Sequence, residues 1–451
     1  MRPREFLKIS GRAPNFLGSV NPPPSKSYFH RALFISALCS GESRLLIGKH
    51  VLSEDIEATI RVLTGFGIKI SRGKEDLGVE PRNISFTQGP LYVGGSGTSA
   101  RFAISFSALA RKGKSTTITG DGSLSRRPML SLVEALSQLG VKCDSNNGKL
   151  PVIVEGGGIV GGECNIEGSV SSQFISSLLI ACTRARNDCV IRVSNQLEMV
   201  SKPYIESTLV VLKHFGFVIE SNSLLSAFKV KGNQRGDGRT FKVPPDMSSV
   251  ASLVGATLAS KGKLRVTRVS RLPQPDSAFL KIAKRFGAKI LYTRDSLTVE
   301  SGRNFRKDLH LDLVDSPDLV PIASGVAAAL GLNLKITNVG HLRFKESDRL
   351  TVIAREFRKL GLATKLTRDS ITIFGGRTVT TAVRRKPIFL DPENDHRILM
   401  ALSVAALSGR FGQVMIADPA CVDKSYPEFV SDIQILSHEP GLLKICHGAA
   451  E

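Results

Sequence analysis

The sequence predicts an α/β (α+β) protein of two similar domains, each built from three repeated α/β units. Three observations predict it. At 451 residues the chain is longer than single cores usually grow, so two domains are the default. The segments "RDSLTV" from Arg294 and "RDSITI" from Arg368 nearly coincide 74 residues apart, which marks an internal repeat. Proline clusters at Pro22 to Pro24 and at Pro244 and Pro245 punctuate the chain with three repeats between them and three after.

The repeats fall in order. Each opens with an apolar helix that has a polar or small start, as in "SKSYFHRALFISALC", "GTSARFAISFSALA", "SSQFISSLLIACT", "DMSSVASLVGATLAS", "PDLVPIASGVAAALG" and "NDHRILMALSVAALSG". These helices begin near Ser25, Gly97, Ser171, Met247, Asp318 and Asp395. A helix apolar nearly all round belongs inside a core. Each is followed by an amphipathic helix stopped by glycine: "LTGFGIKI" at Gly67, "SQLGVKC" at Gly140, "KHFGFVI" at Gly216, "KRFGAKI" at Gly287 and "RKLGLAT" at Gly361. The spacings are 73, 76, 71 and 74 residues, and "SHEPGLLKI" at Gly441 is a degenerate sixth copy. After each glycine come a strand, a tight turn and a second strand, as in "AKILYTRDSLTVES". The boundaries follow: 23–244 forms one domain, and 1–22 joins 245–451 to form the other, with the first segment crossing over to complete it.

Composition narrows the function. No apolar run reaches the roughly 18 residues of a membrane span. The basic start has no continuous apolar stretch of a secretory signal, so the chain is expected in the cytoplasm with no membrane partner. Seven scattered cysteines never fall in CxxC spacing and eight histidines form no HExxH pattern, which argues against a disulfide framework or a zinc site. A net charge of +21 invites a nucleic-acid reading, but 40 acidic residues are interleaved with 61 basic ones, and five Tyr with no Trp leave few stacking platforms. Small anionic substrates fit the excess as well, because a basic cleft concentrates them.

The starts of the core helices carry the chemistry-bearing residues. Lys26, Ser27 and Arg31 sit on the first, Gly97, Thr98 and Arg101 on the second, Ser171, Ser172 and Gln173 on the third, Asp318 on the fifth, and His396 and Arg397 on the sixth. Free N–H groups and a positive dipole make a helix start an oxyanion or phosphate site. Ser25, Ser171 and Asp318 also suit plain helix caps. Arg127, beside Pro128, can face inward where Arg126 does not, and Lys424 is similarly placed before a final helix. "GGSGTSAR" lacks the ending of a nucleotide-binding P-loop. In "HLRFKESDRL", Lys345 and Arg349 are expected four apart on one helix face, with Glu346 beside them and Asp348 as cap or ion-pair partner.

Taken together, "PSKSYFHRA", "GGSGTSARF", "GDGSLSRRPM", "GSVSSQFISSLL", "SKPYIESTL", "SPDLVPIA", "LRFKESDRL", "NDHR" and "DKSYPEF" resemble the 5-enolpyruvylshikimate-3-phosphate synthase family of enolpyruvyl transferases in order and spacing, from about Pro23 to Phe429. The resemblance implies the enolpyruvyl transferase fold, with the core helices aiming their N-termini into an interdomain cleft. It implies transfer of the enolpyruvyl group of phosphoenolpyruvate to the 5-hydroxyl of shikimate 3-phosphate, on the shikimate pathway to chorismate and the aromatic amino acids, by a monomer without cofactor or metal. By motif, Lys26, Ser27, Arg31, Ser171, Ser172, Gln173, Ser201, Asp318 and Lys345 would hold shikimate 3-phosphate. Lys26, Gly97, Arg127, Gln173, Arg349, Arg397 and Lys424 would contact phosphoenolpyruvate. Asp318 matches the family's proton acceptor and Glu346 its acidic partner; with Lys26 and Lys424 they are the candidate catalytic groups. Gly97 occupies a position where a methyl group would crowd phosphoenolpyruvate or glyphosate, so glyphosate sensitivity is implied. The chain departs from the family at Gly95 and at His341, where asparagine is common, and at Pro24, a common Gly. The related UDP-N-acetylglucosamine enolpyruvyl transferases carry a cysteine loop that has no counterpart near Arg127. A kinase would need a nucleotide loop and magnesium.

Overall fold

The computed structural model describes residues 4–82, 84, 89–302, 306–376 and 386–448. The chain divides into two compact units, one of Met1–Pro23, Pro245–Arg271 and Pro275–Glu451, the other of Pro24–Pro244 and Leu272–Gln274.

In the unit from Pro24, three core helices, Lys26–Ser36, Gly97–Ser107 and Ser172–Cys182, are buried along nearly their whole length. Apart from Lys26, His30, Arg31, Arg101 and Gln173, their side chains are small or apolar on every face, so little of their surface favours water. Outer helices Glu54–Gly65, Leu130–Gln138 and Pro203–His214 bury one stripe only. Phe34, Phe102 and Phe106 meet edge to face at 5.4 Å between ring centroids and fix how the first two core helices pack.

The other unit repeats the scheme with core helices Met247–Ala259, Leu319–Leu330 and His396–Leu407. Its outer helices are Ala278–Arg285, Arg349–Lys359 and Phe429–Ser437. These core helices lie close enough that a Cβ on Gly325 would collide with the Ala401 carbonyl, and one on Gly255 would come within 3.0 Å of Ile322. Glycine at both positions is what permits that approach.

Every repeat carries a four-stranded sheet of one pattern: a parallel pair, then two antiparallel neighbours. Three sheets borrow a strand from a distant part of the chain. Thr240–Lys242 returns to pair in parallel with Ser43–Leu46. Leu17–Val20 pairs in parallel with Lys263–Thr267, and Arg4–Ile9 inserts between Val414–Ala417 and Leu443–Gly448. The amino-terminal strands are thereby stitched into the unit that the C-terminal half forms.

Four of the outer helices end by one device. After Glu54–Gly65 the chain turns through Gly67 at φ +83°, Gly67 N–H donates to the Thr64 carbonyl, and Ile68 N–H donates to Leu63. The same pair of bonds closes the helices at Gly140, Gly216 and Gly361, all left-handed. The sixth copy corrects the expectation at Gly441. Its helix Phe429–Ser437 is stopped by His438, which takes the left-handed turn at φ +53°, whereas Gly441 has no positive φ. Among the described residues no helix is long and apolar enough to cross a membrane.

Candidate functional site

Two groups of chemistry-bearing side chains form, one in each unit. In the unit from Pro24 they gather at the starts of the three core helices. Lys26, on the first turn, is held by Asp55 of the neighbouring outer helix at 2.6 Å. The Asp55 carbonyl in turn accepts from Ser99 Oγ at 3.2 Å, and Ser96 caps the second core helix by accepting from Ser99 N–H. Lys26 is thereby tied to the start of the second helix as well as its own.

At that second start, Gly97 leaves room for guanidinium groups: a Cβ there would meet Arg127 Nη1 at 2.9 Å and Arg101 Nη1 at 3.2 Å. Arg127 is buried while Arg126 is exposed. Arg101 donates to Gln173 Oε1 at 2.5 Å and stacks over Phe174, and Gln173 Nε2 donates to Thr98 Oγ1 at 3.0 Å. The amide of Gln173 is therefore fixed in orientation. Ser171 is a true cap, accepting from Gln173 N–H, whereas the Ser25 side chain makes no cap bond. Gly95 faces Asp121: a Cβ there would lie 2.7 Å from its carboxylate, so a side chain as large as asparagine is excluded without rearrangement.

Arg31 lies deeper. Its guanidinium is fully enclosed and donates to Thr208 Oγ1 at 2.7 Å, to the Ser27 carbonyl at 2.7 Å and to the Tyr204 carbonyl at 3.0 Å. Burial among these neutral acceptors pulls it down to about 10. Ser201, just ahead of Pro203–His214, holds φ at +58°, a left-handed conformation that costs a serine of order 1 kcal/mol. Such strain persists only where the surroundings impose it. These residues make an electropositive surface rich in hydroxyl and amide donors, suited to a phosphorylated, hydroxylated ligand.

The second group centres on Arg349 and Asp318. Arg349, 1 % exposed, reaches three carboxylates: Asp395 at 2.8 Å, Asp318 at 2.9 Å and Glu346 at 2.7 Å. Asp395 is itself fully buried, caps the sixth core helix by accepting from Arg397 N–H at 3.0 Å, and accepts from Ser347 Oγ at 3.1 Å. Asp318 precedes the fifth core helix without capping it; its other oxygen faces Arg397 at 3.3 Å. Burial alone would raise the Asp318 carboxyl, yet Arg397, Arg349 and Lys345 hold it well below the usual carboxylate range. It is an ionised carboxylate with 22 % of its side chain still reachable by solvent.

Lys345 does not share a helix face with Arg349. The helix begins at Arg349, capped by Asp348, which accepts from Thr351 N–H and is clamped by Arg343 at 2.7 Å. Lys345 precedes it in extended backbone after the 3-10 turn Gly340–Phe344. The strength of the Asp348 cap sets the helix start and leaves "KES" outside. Glu346 still pairs with Arg349 from that loop. Lys424 donates to the Asn394 carbonyl at 2.9 Å and is buried.

Three participants had been given no role in the site by the sequence, although Asp395 was expected as a helix start. Asp55 and Asp395 orient Lys26 and Arg349, but their partners lie 29 and 46 residues away. Asp276, buried beside Ser248, is pushed up to about 7 by burial and by the neighbouring Asp318 charge, against the pull of Arg397. His341 takes the reverse course: burial, with Lys345 next to it, lowers it to about 3, so its imidazole is neutral. An ionised carboxylate, a second carboxylate on the same guanidinium, and several lysines and arginines make up equipment for moving protons on an anionic substrate.

Comparison with known proteins places these features. The family model described as EPSP synthase (3-phosphoshikimate 1-carboxyvinyltransferase) matches residues 13–433. A 3-phosphoshikimate 1-carboxyvinyltransferase of Korarchaeum cryptofilum is 37% identical over 419 residues, 92% of this chain and 95% of that protein. One from Pyrococcus abyssi is 36% identical over 432 residues, covering 96% and 98%. Among solved structures, the EPSP synthase of Acinetobacter baumannii superposes with a TM-score of 0.77 over 98% of this chain and 100% of that one at 23% identity, a likeness of fold.

Proposed function

The chain belongs to the EPSP synthase (3-phosphoshikimate 1-carboxyvinyltransferase) family, and on that premise we propose how its residues transfer the enolpyruvyl group of phosphoenolpyruvate to the 5-hydroxyl of shikimate 3-phosphate. The products are 5-enolpyruvylshikimate 3-phosphate, which leads on to chorismate and the aromatic amino acids, and inorganic phosphate. The observation that carries the assignment of roles is the Asp318 carboxylate, kept ionised between Arg349 and Arg397.

Shikimate 3-phosphate is held by the first group. Lys26, Ser27, Ser171, Ser172 and Ser201 supply charge and hydroxyls, Gln173 supplies an oriented amide, and Arg31 contributes its charge from beneath. Lys345 and Asp318 act on the same substrate. Phosphoenolpyruvate, with a carboxylate and a phosphate, is contacted by Lys26, Gly97, Arg127, Gln173, Arg349, Arg397 and Lys424. Guanidinium forks suit both of its anionic ends.

The reaction needs one proton removed and one delivered. Asp318 takes the proton of the 5-hydroxyl as its oxygen bonds to C2 of phosphoenolpyruvate, while Glu346, with Lys424, delivers a proton to the methylene carbon. The resulting tetrahedral ketal then breaks its C–O bond to phosphate and gives a methyl proton back, which restores the double bond. The charges on Arg349 and Arg397 stay in place throughout, so they offset negative charge as it moves between oxygens. Arg397, Arg349 and Lys345 together lower the proton affinity of Asp318.

We place the protein in the cytoplasm as a monomer acting on small anions and not on nucleic acid. The choice of small anions over nucleic acid is supported by a positive charge dispersed among 40 acidic residues. The deciding experiment mixes the protein with shikimate 3-phosphate and phosphoenolpyruvate, without added metal, and follows released phosphate. Release that depends on both substrates is the expected outcome; folded protein that releases none refutes the reading.

A further inference from the structure

In the unit from Pro24, the three core helices that start at the substrate-binding residues end on a different feature, a cavity of about 610 Å³. Ala37, Leu38, Cys39 and Ser40 continue from the first helix, Leu109 from the second and Arg184 from the third. Four arginines line it, Arg82, Arg111, Arg184 and Arg235, and among the described residues no acidic side chain does. The volume is that of a site for a small organic molecule.

The plain account is that the arginines answer the negative ends of the helices, and the magnitudes decide against it as a full explanation. A helix C-terminus carries roughly half a negative charge, so three supply about one and a half. Glu80 sits 3.4 Å from Arg82 and answers one more at most. Four guanidiniums thus retain roughly one and a half positive charges unanswered. Two of them oppose each other directly: Arg184, half-buried and donating to the Gln234 carbonyl at 2.9 Å, has its proton affinity lowered first by burial and then by the charge of Arg235. Among the described residues Arg111 and Arg235 make no ion pair. Arginines crowded around an open cavity, with no acidic side chain lining it among the described residues, leave room for an external anion.

We propose that this cavity binds a small organic polyanion, with two or more phosphate or carboxylate charges on a body whose apolar face rests on Leu38 and Leu109. Nothing in the transfer reaction requires it: the cavity lies at the opposite ends of the helices from Lys26, Gly97 and Ser172. A molecule bound there would stabilise the unit by mass action.

Calorimetric titration of the full chain with inorganic pyrophosphate, and separately with citrate, tests the site and tells phosphate from carboxylate recognition. The control is the double variant Arg111→Ser and Arg235→Ser, both exposed side chains outside the substrate-binding groups. The proposal expects at least one probe to bind about ten-fold more weakly to the variant, with the Michaelis constants of both substrates unchanged. Equal affinity overturns it, and so does a loss accompanied by a parallel rise in those constants, which would trace the binding to the substrate site. Arg235→Glu keeps the question decidable should the double variant fold poorly: a carboxylate beside Arg184 should raise the melting temperature and abolish probe binding. Undiminished affinity in that variant also overturns the proposal.

Discussion

Asp318 and Arg349 meet at 2.9 Å, and the same guanidinium is shared with Glu346 and Asp395. One fully buried cation therefore positions both proposed proton-transfer groups. The arrangement ties the proposed base, its proposed acidic partner and a proposed phosphoenolpyruvate contact together, so that each can be perturbed with a distinct signature.

Asp318→Asn removes the base but keeps its shape. The amide oxygen still accepts from Arg349, so the surroundings should hold. Turnover is expected to fall by about 10² to 10⁴, while the dissociation constant of shikimate 3-phosphate moves only a few-fold. Steady-state kinetics with a direct binding measurement separate the two. A comparable loss of affinity would reassign Asp318 to binding.

Asp395 answers the same arginine from the opposite side, without touching a substrate in the proposed scheme. Asp395→Ala leaves a buried guanidinium short of its fully enclosed partner and removes a helix cap. Breaking a buried ion pair on one side costs about 3–5 kcal/mol. The denaturant midpoint should drop accordingly with an unchanged slope. A change below about 1 kcal/mol would mean that Asp318 and Glu346 suffice to hold Arg349.

The role of Gly97 follows from space. A methyl group there would stand 2.9 Å from Arg127 Nη1 and 3.2 Å from Arg101 Nη1, so one or both must move. Gly97→Ala should raise the Michaelis constant for phosphoenolpyruvate, weaken inhibition by glyphosate, and leave that for shikimate 3-phosphate nearly unchanged. Equal changes for both substrates would remove Gly97 from the phosphoenolpyruvate side.

What the sequence made legible follows from the range of each interaction. The six-fold repeat could be read because glycine at Gly67, Gly140, Gly216 and Gly361 is required locally, by a left-handed turn within two residues of the helix. The exception has a local cause too: His438 turns left-handed in the sixth copy, and a histidine in that role leaves little trace in a pattern of glycines. The pairing of Glu346 with Arg349 was visible at three residues' separation, and Asp348 is the cap that the sequence offered, but a helix that starts only at Arg349 leaves Lys345 outside it, so the two cations do not share a helix face. Asp395 and Asp55 were out of reach, since only the fold brings them to Arg349 and Lys26. The burial of Arg31 was equally hidden, because its partners Thr208 and Tyr204 lie 177 and 173 residues away.

Asp276 yields a prediction in stability against pH. Burial and the nearby Asp318 charge push its carboxyl up to about 7, above the usual value of 3.8, while Ser248 and Arg397 favour its ionised form. An acid whose affinity for its proton is greater in the folded state binds more protons folded than unfolded between those limits. Its contribution therefore favours folding below about pH 4 and declines as pH rises from about 4 through 7. His341, lowered to about 3 from 6.5, acts in the opposite sense over much of the same window, since the unfolded chain binds the extra proton there. The bare pH profile mixes the two, and a difference isolates one. Asp276→Asn has no proton to lose, so its stability relative to the native protein should improve steadily from pH 4 to 7 and level off above. Unfolding by denaturant at several pH values in that range measures the difference. A flat difference would mean that Asp276 is already ionised at pH 4, with Arg397 outweighing burial and Asp318.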